Sequence, residues 1–143
     1  MNRLIYRAMD ANFNRVREGL RVCEEFVRFA ADDKKLTQDF KKMRNRINKI
    51  YGSLASMPKG FFLARDSAKD VGRKGFGFER KRARISDIFW TNIGRSKEAL
   101  RVLEEFSKLI SVEFSDSFRK ERYKLYDLEK KSVKQIKSLF NAK

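Results

Sequence analysis

The chain has 143 residues, and 35 lysines and arginines against 19 aspartates and glutamates give it a formal net charge of +16. This length predicts a single domain over residues 1–143, and the positive charge predicts an anionic partner such as a phosphate, nucleotide, nucleic acid or acidic lipid. The absence of histidine excludes imidazole as a catalytic base or metal ligand. The only cysteine, Cys23, excludes an internal disulfide and a cysteine-rich zinc site, and its place on an apolar helical face predicts a core residue.

Two further patterns are missing from the sequence. No apolar run approaches the length of a membrane span, and no signal-peptide pattern is present. We therefore predict a cytoplasmic, soluble protein without a membrane partner.

The first predicted helix, about residues 3–31, contains a segment that recurs at an offset of 80 residues. Residues 12–26 read NFNRVREGLRVCEEF, and residues 92–106 read NIGRSKEALRVLEEF. The identical positions are Asn12/Asn92, Arg15/Arg95, Glu18/Glu98, Leu20/Leu100, Arg21/Arg101, Val22/Val102, Glu24/Glu104, Glu25/Glu105 and Phe26/Phe106. A repeat that keeps polar as well as apolar residues predicts two similar helices that face each other.

The helical period places Asn12 and Asn92 within the apolar stripes of these two helices. Because burial of an unpaired amide costs about 1–3 kcal/mol, each amide needs a partner, which is the other amide, the backbone, water or a ligand. We favour a functional role for both amides. Charged residues on the opposite face, including Arg21 and Glu24, are predicted to form solvated ion pairs. Charged residues at the edge of the stripe are predicted either to contact substrate or to pair with each other: Arg15, Glu18, Arg95 and Glu98.

A second, fainter repeat relates the next helix to the last one at an offset of 78 residues. Arg44 matches Arg122 in this repeat, and we predict that both contact phosphate; the alternative is packing against carboxylates of the Glu18 and Glu98 type. The repeating unit is therefore a helical hairpin, one at about residues 3–54 and the other at about residues 85–140. We predict an all-α four-helix bundle of two pseudo-symmetric hairpins joined by a long glycine-rich basic loop.

That loop, about residues 55–84, lies in a stretch from Gly52 to Arg84 that holds five of the seven glycines and the only proline. Long ordered loops in compact domains are usually functional. Asp66 and Asp70 are predicted to bind Mg²⁺, which prefers one or two carboxylates together with phosphate oxygens. Gly72 is predicted to bring a backbone amide close to a phosphate. The alternative is a basic loop that only closes one end of the bundle.

The third helix is predicted to begin near residues 86–87 and to end near Ile110, and the fourth to start after residues 115–116 or slightly earlier. The basic run at residues 80–84 lies just before the third helix. It lacks the interleaved aromatic residues of RNA-binding signatures, so the pattern disfavours nucleic acid as the partner.

Four motifs in order make the chain resemble a known family, the small hydroxymethylpyrimidine-phosphate kinase domain found alone or fused to thiamine-phosphate synthase. The motifs are DANFNRVREGLRVCE at residues 10–24, RDS with DVG at residues 65–72, TNIGRSKEALRVLEE at residues 91–105, and RY at residues 122–123. They cover nearly the whole chain. One departure is Thr91, where the family pattern has alanine, and the absence of a fused synthase domain resembles the stand-alone form.

This resemblance implies ATP-dependent phosphorylation of 4-amino-5-hydroxymethyl-2-methylpyrimidine phosphate to the diphosphate in thiamine biosynthesis. It implies ATP as co-substrate and Mg²⁺ as cofactor. The acceptor phosphate oxygen is already ionised near neutral pH, so the chemistry requires positive charge and alignment rather than a general base.

On this resemblance we assign roles as hypotheses. The pyrimidine would be held by Asn12 and Asn92 with Glu18 or Glu98. Phosphates would be bound by Arg15, Arg95, Arg44 and Arg122. Metal would be bound by Asp66 or Asp70, and catalysis would involve Arg65, which steadies the transferred group, and Asp70.

Two other functions remain open from the sequence. One is a non-catalytic partner domain that docks on thiamine-phosphate synthase, and the other is an RNA-binding helical domain. The sequence is also compatible with a homo-oligomer.

Overall fold

The computed structural model describes residues 2–54, 61, 63–74 and 81–140, and the predicted all-α bundle is confirmed over them. These ranges contain four α-helices and no strand: α1 (Asn2–Glu25), α2 (Lys34–Ser53), α3 (Ile85–Ser107) and α4 (Val112–Phe140). A π-helical turn, Phe26–Ala30, continues α1, and a short 3-10 helix, Ser67–Lys69, lies in the connection between the hairpins. Residues 55–60, 62 and 75–80 of the predicted loop lie outside the described residues, among them Pro58, Gly60, Gly75, Gly77 and the first residue of the basic run, Arg80.

Aspartates set two of the helix boundaries. Asp32 has a positive φ of 51°, and the next residue, Asp33, caps α2 because its Oδ1 accepts a hydrogen bond from the Leu36 backbone N–H at 2.9 Å. The α3 helix starts at Ile85, slightly before the predicted position. Its first turn is closed by Asp87, whose Oδ2 accepts from the Arg84 backbone N–H at 3.0 Å.

The centre of the bundle is the antiparallel contact between α1 and α3. At Gly19 the two helices approach so closely that an added Cβ would lie 2.9 Å from the Asn92 carbonyl oxygen. One turn further along α1, the Cys23 thiol donates a weak hydrogen bond to the Phe89 carbonyl oxygen at 3.8 Å. These two contacts fix the register, with residue 19 beside residues 92–96 and residue 23 beside residue 89.

The core confirms the predicted apolar stripe of α1. Val16 and Cys23 are fully buried, and burial raises the pKa of the Cys23 thiol well above its usual range. The helices α2 and α4 flank the central pair and contribute Phe40 and Phe118, which are equivalent in the fainter repeat and fully buried. Phe13 of α1 packs edge-on against Phe118 with ring centroids 5.5 Å apart.

In the described part of the chain, no helix has the length and apolar character needed to cross a membrane.

Glu24 and Glu104 are buried, and the prediction that this face carries only solvated ion pairs is wrong for them. The reason is that α2 and α4 cover each position with an arginine. Arg44 Nε donates to Glu24 Oε1 at 3.1 Å, and Arg122 Nη2 donates to Glu104 Oε1 at 3.0 Å. The repeat therefore places one buried ion pair between the helices of each hairpin.

We predict that Gly19→Ala destabilises the fold by about 1–2 kcal/mol. The added Cβ would lie 2.2 Å from Ser96 Oγ as well as close to the Asn92 carbonyl. Overpacking of this kind costs about 1–3 kcal/mol, which exceeds the gain of about 1 kcal/mol in helix propensity.

Urea unfolding measures this change, with Gly94→Ala in the middle of α3 as the matched control. A Cβ at Gly94 meets nothing within 4 Å, so the control should be neutral or stabilising. Equal effects of the two substitutions would show that the helices are not in close contact at Gly19.

Candidate functional site

A two-lobed cleft lies along α1 and α3. The first lobe, about 880 Å³, is formed by the N-terminal half of α1, residues 65–71 and two side chains of α3, Val102 and Phe106. The second lobe, about 840 Å³, is formed by Gly72, residues 81–83 and the side of α3 from Asp87 to Val102. Both lobes are lined by Asn12, Arg15 and Val102, so they form one continuous cleft.

The cleft brings together eight of the residues predicted to form the site. They are Asn12, Arg15, Arg65, Asp66, Asp70, Gly72, Arg95 and Glu98. Four other predicted residues, Glu18, Asn92, Arg44 and Arg122, line neither lobe. The predicted loop and the edge of the repeated helices therefore meet, but the two halves of the repeat contribute unequally.

The structure does not bring the two repeated asparagines together. Asn12 is 5% exposed, and its Nδ2 donates to the Ala8 carbonyl oxygen at 2.8 Å. Asn92 Nδ2 donates in the same way to the Ile88 carbonyl oxygen at 2.7 Å. Because Gly19 lies beside Asn92, Asn12 is seven residues away along α1, or about 10 Å at 1.5 Å per residue. Antiparallel packing thus separates equivalent residues along the bundle, and a joint grip by both amides on one ring stays a prediction.

Arg65 is held by a carboxylate that the predicted site omitted, that of Asp10. Arg65 Nε and Nη2 donate to the two oxygens of Asp10, both at 2.7 Å, and the residue Asp10 is 2% exposed. The hydrogen bond to Asp10 raises the pKa of the Arg65 guanidinium. The sequence did contain a signal for this role of Asp10, because Asp10 lies one helical turn before the core residue Phe13. A carboxylate on a buried helix face needs a cation as its partner. The pair ties the connection between the hairpins to α1.

The two predicted metal ligands accept hydrogen bonds from their own loop. Asp66 Oδ1 accepts from the Lys69 backbone N–H at 3.3 Å, and Asp70 Oδ1 accepts from the Gly72 backbone N–H at 2.8 Å. The Gly72 backbone amide, which was predicted to face a phosphate, thus donates its hydrogen bond within the loop. Over the described ranges, no group of three or more His, Cys, Asp or Glu side chains is arranged to hold a metal. Mg²⁺ and ATP stay predictions.

Arg44 and Arg122 lie outside the cleft, in the buried ion pairs with Glu24 and Glu104. Their side chains are 19% and 12% exposed, and hydrogen bonds from Arg122 to Tyr126 Oη and Glu104 raise the pKa of its guanidinium against the opposing effect of burial. Both arginines therefore pack against carboxylates, as the alternative prediction states. The carboxylates are those of Glu24 and Glu104 rather than those of Glu18 and Glu98.

The cleft has an excess of positive charge. Its two lobes are lined by eight basic and five acidic side chains. Two of the acidic residues, Asp10 and Asp87, are already paired with arginines. Six of the basic residues form no ion pair within the described ranges: Arg3, Arg7, Arg15, Lys69, Lys81 and Arg95. Sequence reasoning missed Arg3, Arg7 and Lys69, for which the only signal was the total charge. Lys81 lies in the basic run at residues 80–84, to which no role in the site was assigned.

The fold and the cleft define a small helical-bundle domain with a cationic, partly apolar cleft. A family model described as the ThiD2 family matches residues 7–131, and the chain belongs to this family. The motif resemblance is confirmed at the level of this family. A stand-alone kinase identity is not.

Similar proteins of known name are thiamine-phosphate synthases from cyanobacteria. The protein from Nostoc punctiforme is 36% identical over 130 residues, which cover 90% of this chain and 35% of that protein. The protein from Thermosynechococcus vestitus is 36% identical over 124 residues, covering 86% of this chain and 34% of that protein. The chain thus spans about a third of the length of these relatives. No solved structure matches the chain at a significant level.

These comparisons overturn the predicted kinase function. The relatives that match most of this chain at 36% identity are named thiamine-phosphate synthase, not kinase. ATP-dependent phosphorylation of the pyrimidine phosphate is therefore the wrong main prediction. The link to thiamine biosynthesis stands, and the alternative of a domain associated with thiamine-phosphate synthase is the better one.

We predict that Asp10→Asn loosens the segment at residues 63–74 by removing the charge that holds Arg65. Hydrogen exchange should show faster exchange in this segment, with a loss of global stability of about 1–3 kcal/mol because a hydrogen bond to a charged group is weakened.

Asp39→Asn is the matched control, because Asp39 pairs with Lys35 on the surface of α2. It should leave exchange in residues 63–74 unchanged. Unchanged exchange in Asp10→Asn as well would mean that the Asp10–Arg65 pair does not anchor the segment.

Proposed function

We propose that this chain is a non-catalytic partner domain of thiamine-phosphate synthase that holds a phosphorylated pyrimidine in its cleft. Two things support the association with the synthase: membership of the ThiD2 family and the match of nearly the whole chain to about a third of the named synthases. The single observation that supports the ligand is the cleft itself, which is lined by six cations without an ion pair in the described ranges, with Arg15 in the lining of both lobes.

The cleft offers apolar surface and positive charge side by side, which suits a ring joined to a phosphate. In the first lobe, the apolar side chains of Val102 and Phe106 line the same wall as Asn12. Positive charge comes from Arg3, Arg7 and Lys69 in this lobe and from Lys81 and Arg95 in the second lobe. Arg15 belongs to both lobes, so a phosphate bound there keeps its ring within reach of the apolar wall. In a concave site, guanidinium groups bind phosphate through short charge-assisted hydrogen bonds.

Binding of this kind needs no phosphoryl transfer by the domain. A domain beside the synthase that retains a phosphorylated pyrimidine raises the local concentration of the ligand for the neighbouring protein. Asn12 would then orient the ring through the amide that lies in the cleft wall, while the cations hold the phosphate.

We predict that Arg15→Gln weakens binding of 4-amino-5-hydroxymethyl-2-methylpyrimidine phosphate at least tenfold, because a charged hydrogen bond to phosphate contributes about 1.5–3 kcal/mol. Isothermal titration calorimetry measures the change, and the alcohol that lacks the phosphate should bind far more weakly than the phosphate ester.

Arg28→Gln is the control for the overall loss of one positive charge. Arg28 lies over the Phe29 ring in the π-helical turn and lines neither lobe. Equal losses of affinity in the two variants would contradict a phosphate site at Arg15.

We further predict that the chain forms a complex with a thiamine-phosphate synthase that lacks this helical region, and that ATP is not consumed when the pyrimidine phosphate is added. Sedimentation velocity detects the complex, and a coupled assay for ADP follows the ATP. Turnover of ATP without any complex would contradict the proposed association.

A further inference from the structure

A second basic groove lies between α2 and α4 and shares no residue with the cleft. It is lined by four basic side chains, Lys42, Arg46, Lys124 and Lys131, together with Met43, Leu128 and two aspartates. Its volume is about 210 Å³, below the range of about 300–1,000 Å³ that is typical of sites for drug-sized ligands. The groove itself is therefore small, of a size that suits one or two phosphate groups.

One of the basic groups is held in place by a buried carboxylate. Arg46 Nε donates to both oxygens of Glu121, at 2.9 and 3.1 Å, and Lys124 Nζ lies 3.5 Å from the same carboxylate. Glu121 is 5% exposed, and the equivalent residue of α2 in the fainter repeat is the apolar Met43. A carboxylate at such a position is costly unless paired, and here it fixes two cations at the groove.

The remaining charges favour an anion. Lys42 and Lys131 form no ion pair within the parts of α2 and α4 that the structure describes, and both are exposed. Of the two aspartates, Asp39 is already paired with Lys35 at 2.7 Å. Glu121 offsets one of the four cations and Asp127 offsets another, so the groove keeps an excess of two positive charges. Lysine ammonium groups bind phosphate as point charges.

We propose that this groove is a binding site for a diphosphate group, either as the inorganic ion or as part of a small phosphorylated molecule. Lys42 from α2 and Lys131 from α4 would contact the phosphate oxygens directly, beside Lys124 and the guanidinium of Arg46. Glu121 acts as a positioning residue through its hydrogen bonds to Arg46. This site is independent of the cleft and of its proposed ligand.

Titration calorimetry with inorganic diphosphate tests the site in the complete chain. To separate the groove from the cleft, the titration is repeated in the Arg15→Gln background, where binding at the groove should remain. The double variant Lys42→Gln/Lys131→Gln should then weaken binding at least tenfold, with no change in the unfolding midpoint beyond that of the control.

The control is Lys41→Gln/Lys130→Gln, which removes the same charge from neighbouring positions that do not line the groove. It should change the affinity less than twofold. Equal losses in both double variants would show general electrostatic attraction and overturn the proposal.

Two other results would also overturn it. One is the absence of diphosphate binding at millimolar concentration in the Arg15→Gln background. The other is tight, salt-dependent binding of a short RNA to the same residues without diphosphate binding, which would assign the groove to a nucleic-acid backbone instead. Binding of both inorganic diphosphate and a diphosphate ester at the groove supports the proposal, and their relative affinities show which source of the group it prefers.

Discussion

The close antiparallel contact of α1 with α3 at Gly19 determines where the candidate site residues of these two helices lie. Because α1 and α3 run in opposite directions, equivalent residues of the repeat fall at different heights along the bundle. Asn12 and Arg15 lie at the junction of the two lobes, whereas Asn92 lies beside Gly19 and lines neither lobe. One continuous cleft, rather than two equivalent sites, results from this register.

The repeat has a different role between the helices of each hairpin. Glu24 with Arg44, and Glu104 with Arg122, form matching buried ion pairs that join α1 to α2 and α3 to α4. Removal of one partner from such a pair is strongly destabilising, since it leaves a buried charge uncompensated. The polar identities of the repeat are therefore explained in part by the architecture, without any ligand.

Sequence reasoning could predict the four helices, because their apolar periodicity and capping aspartates are local signals. Residues such as Val16, Cys23 and Phe40 were predictable core positions for the same reason. The cleft was only partly predictable, since the partner of Arg65 is Asp10, 55 residues earlier in the chain. Glu24 was predicted to be solvated but is buried. The apolar period of one helix does not show which other helix covers its opposite face. The predicted activity was wrong, since it came from the motif resemblance and not from the physical properties of the site.

The central claim is that the junction of the two lobes binds the phosphate of a phosphorylated pyrimidine. A crystal structure of the chain with 4-amino-5-hydroxymethyl-2-methylpyrimidine phosphate tests it most directly. We expect the phosphate within hydrogen-bond distance of Arg15 and the ring against Val102 and Phe106. A ligand bound only outside the cleft, or a cleft that stays empty at saturating ligand, would contradict the account.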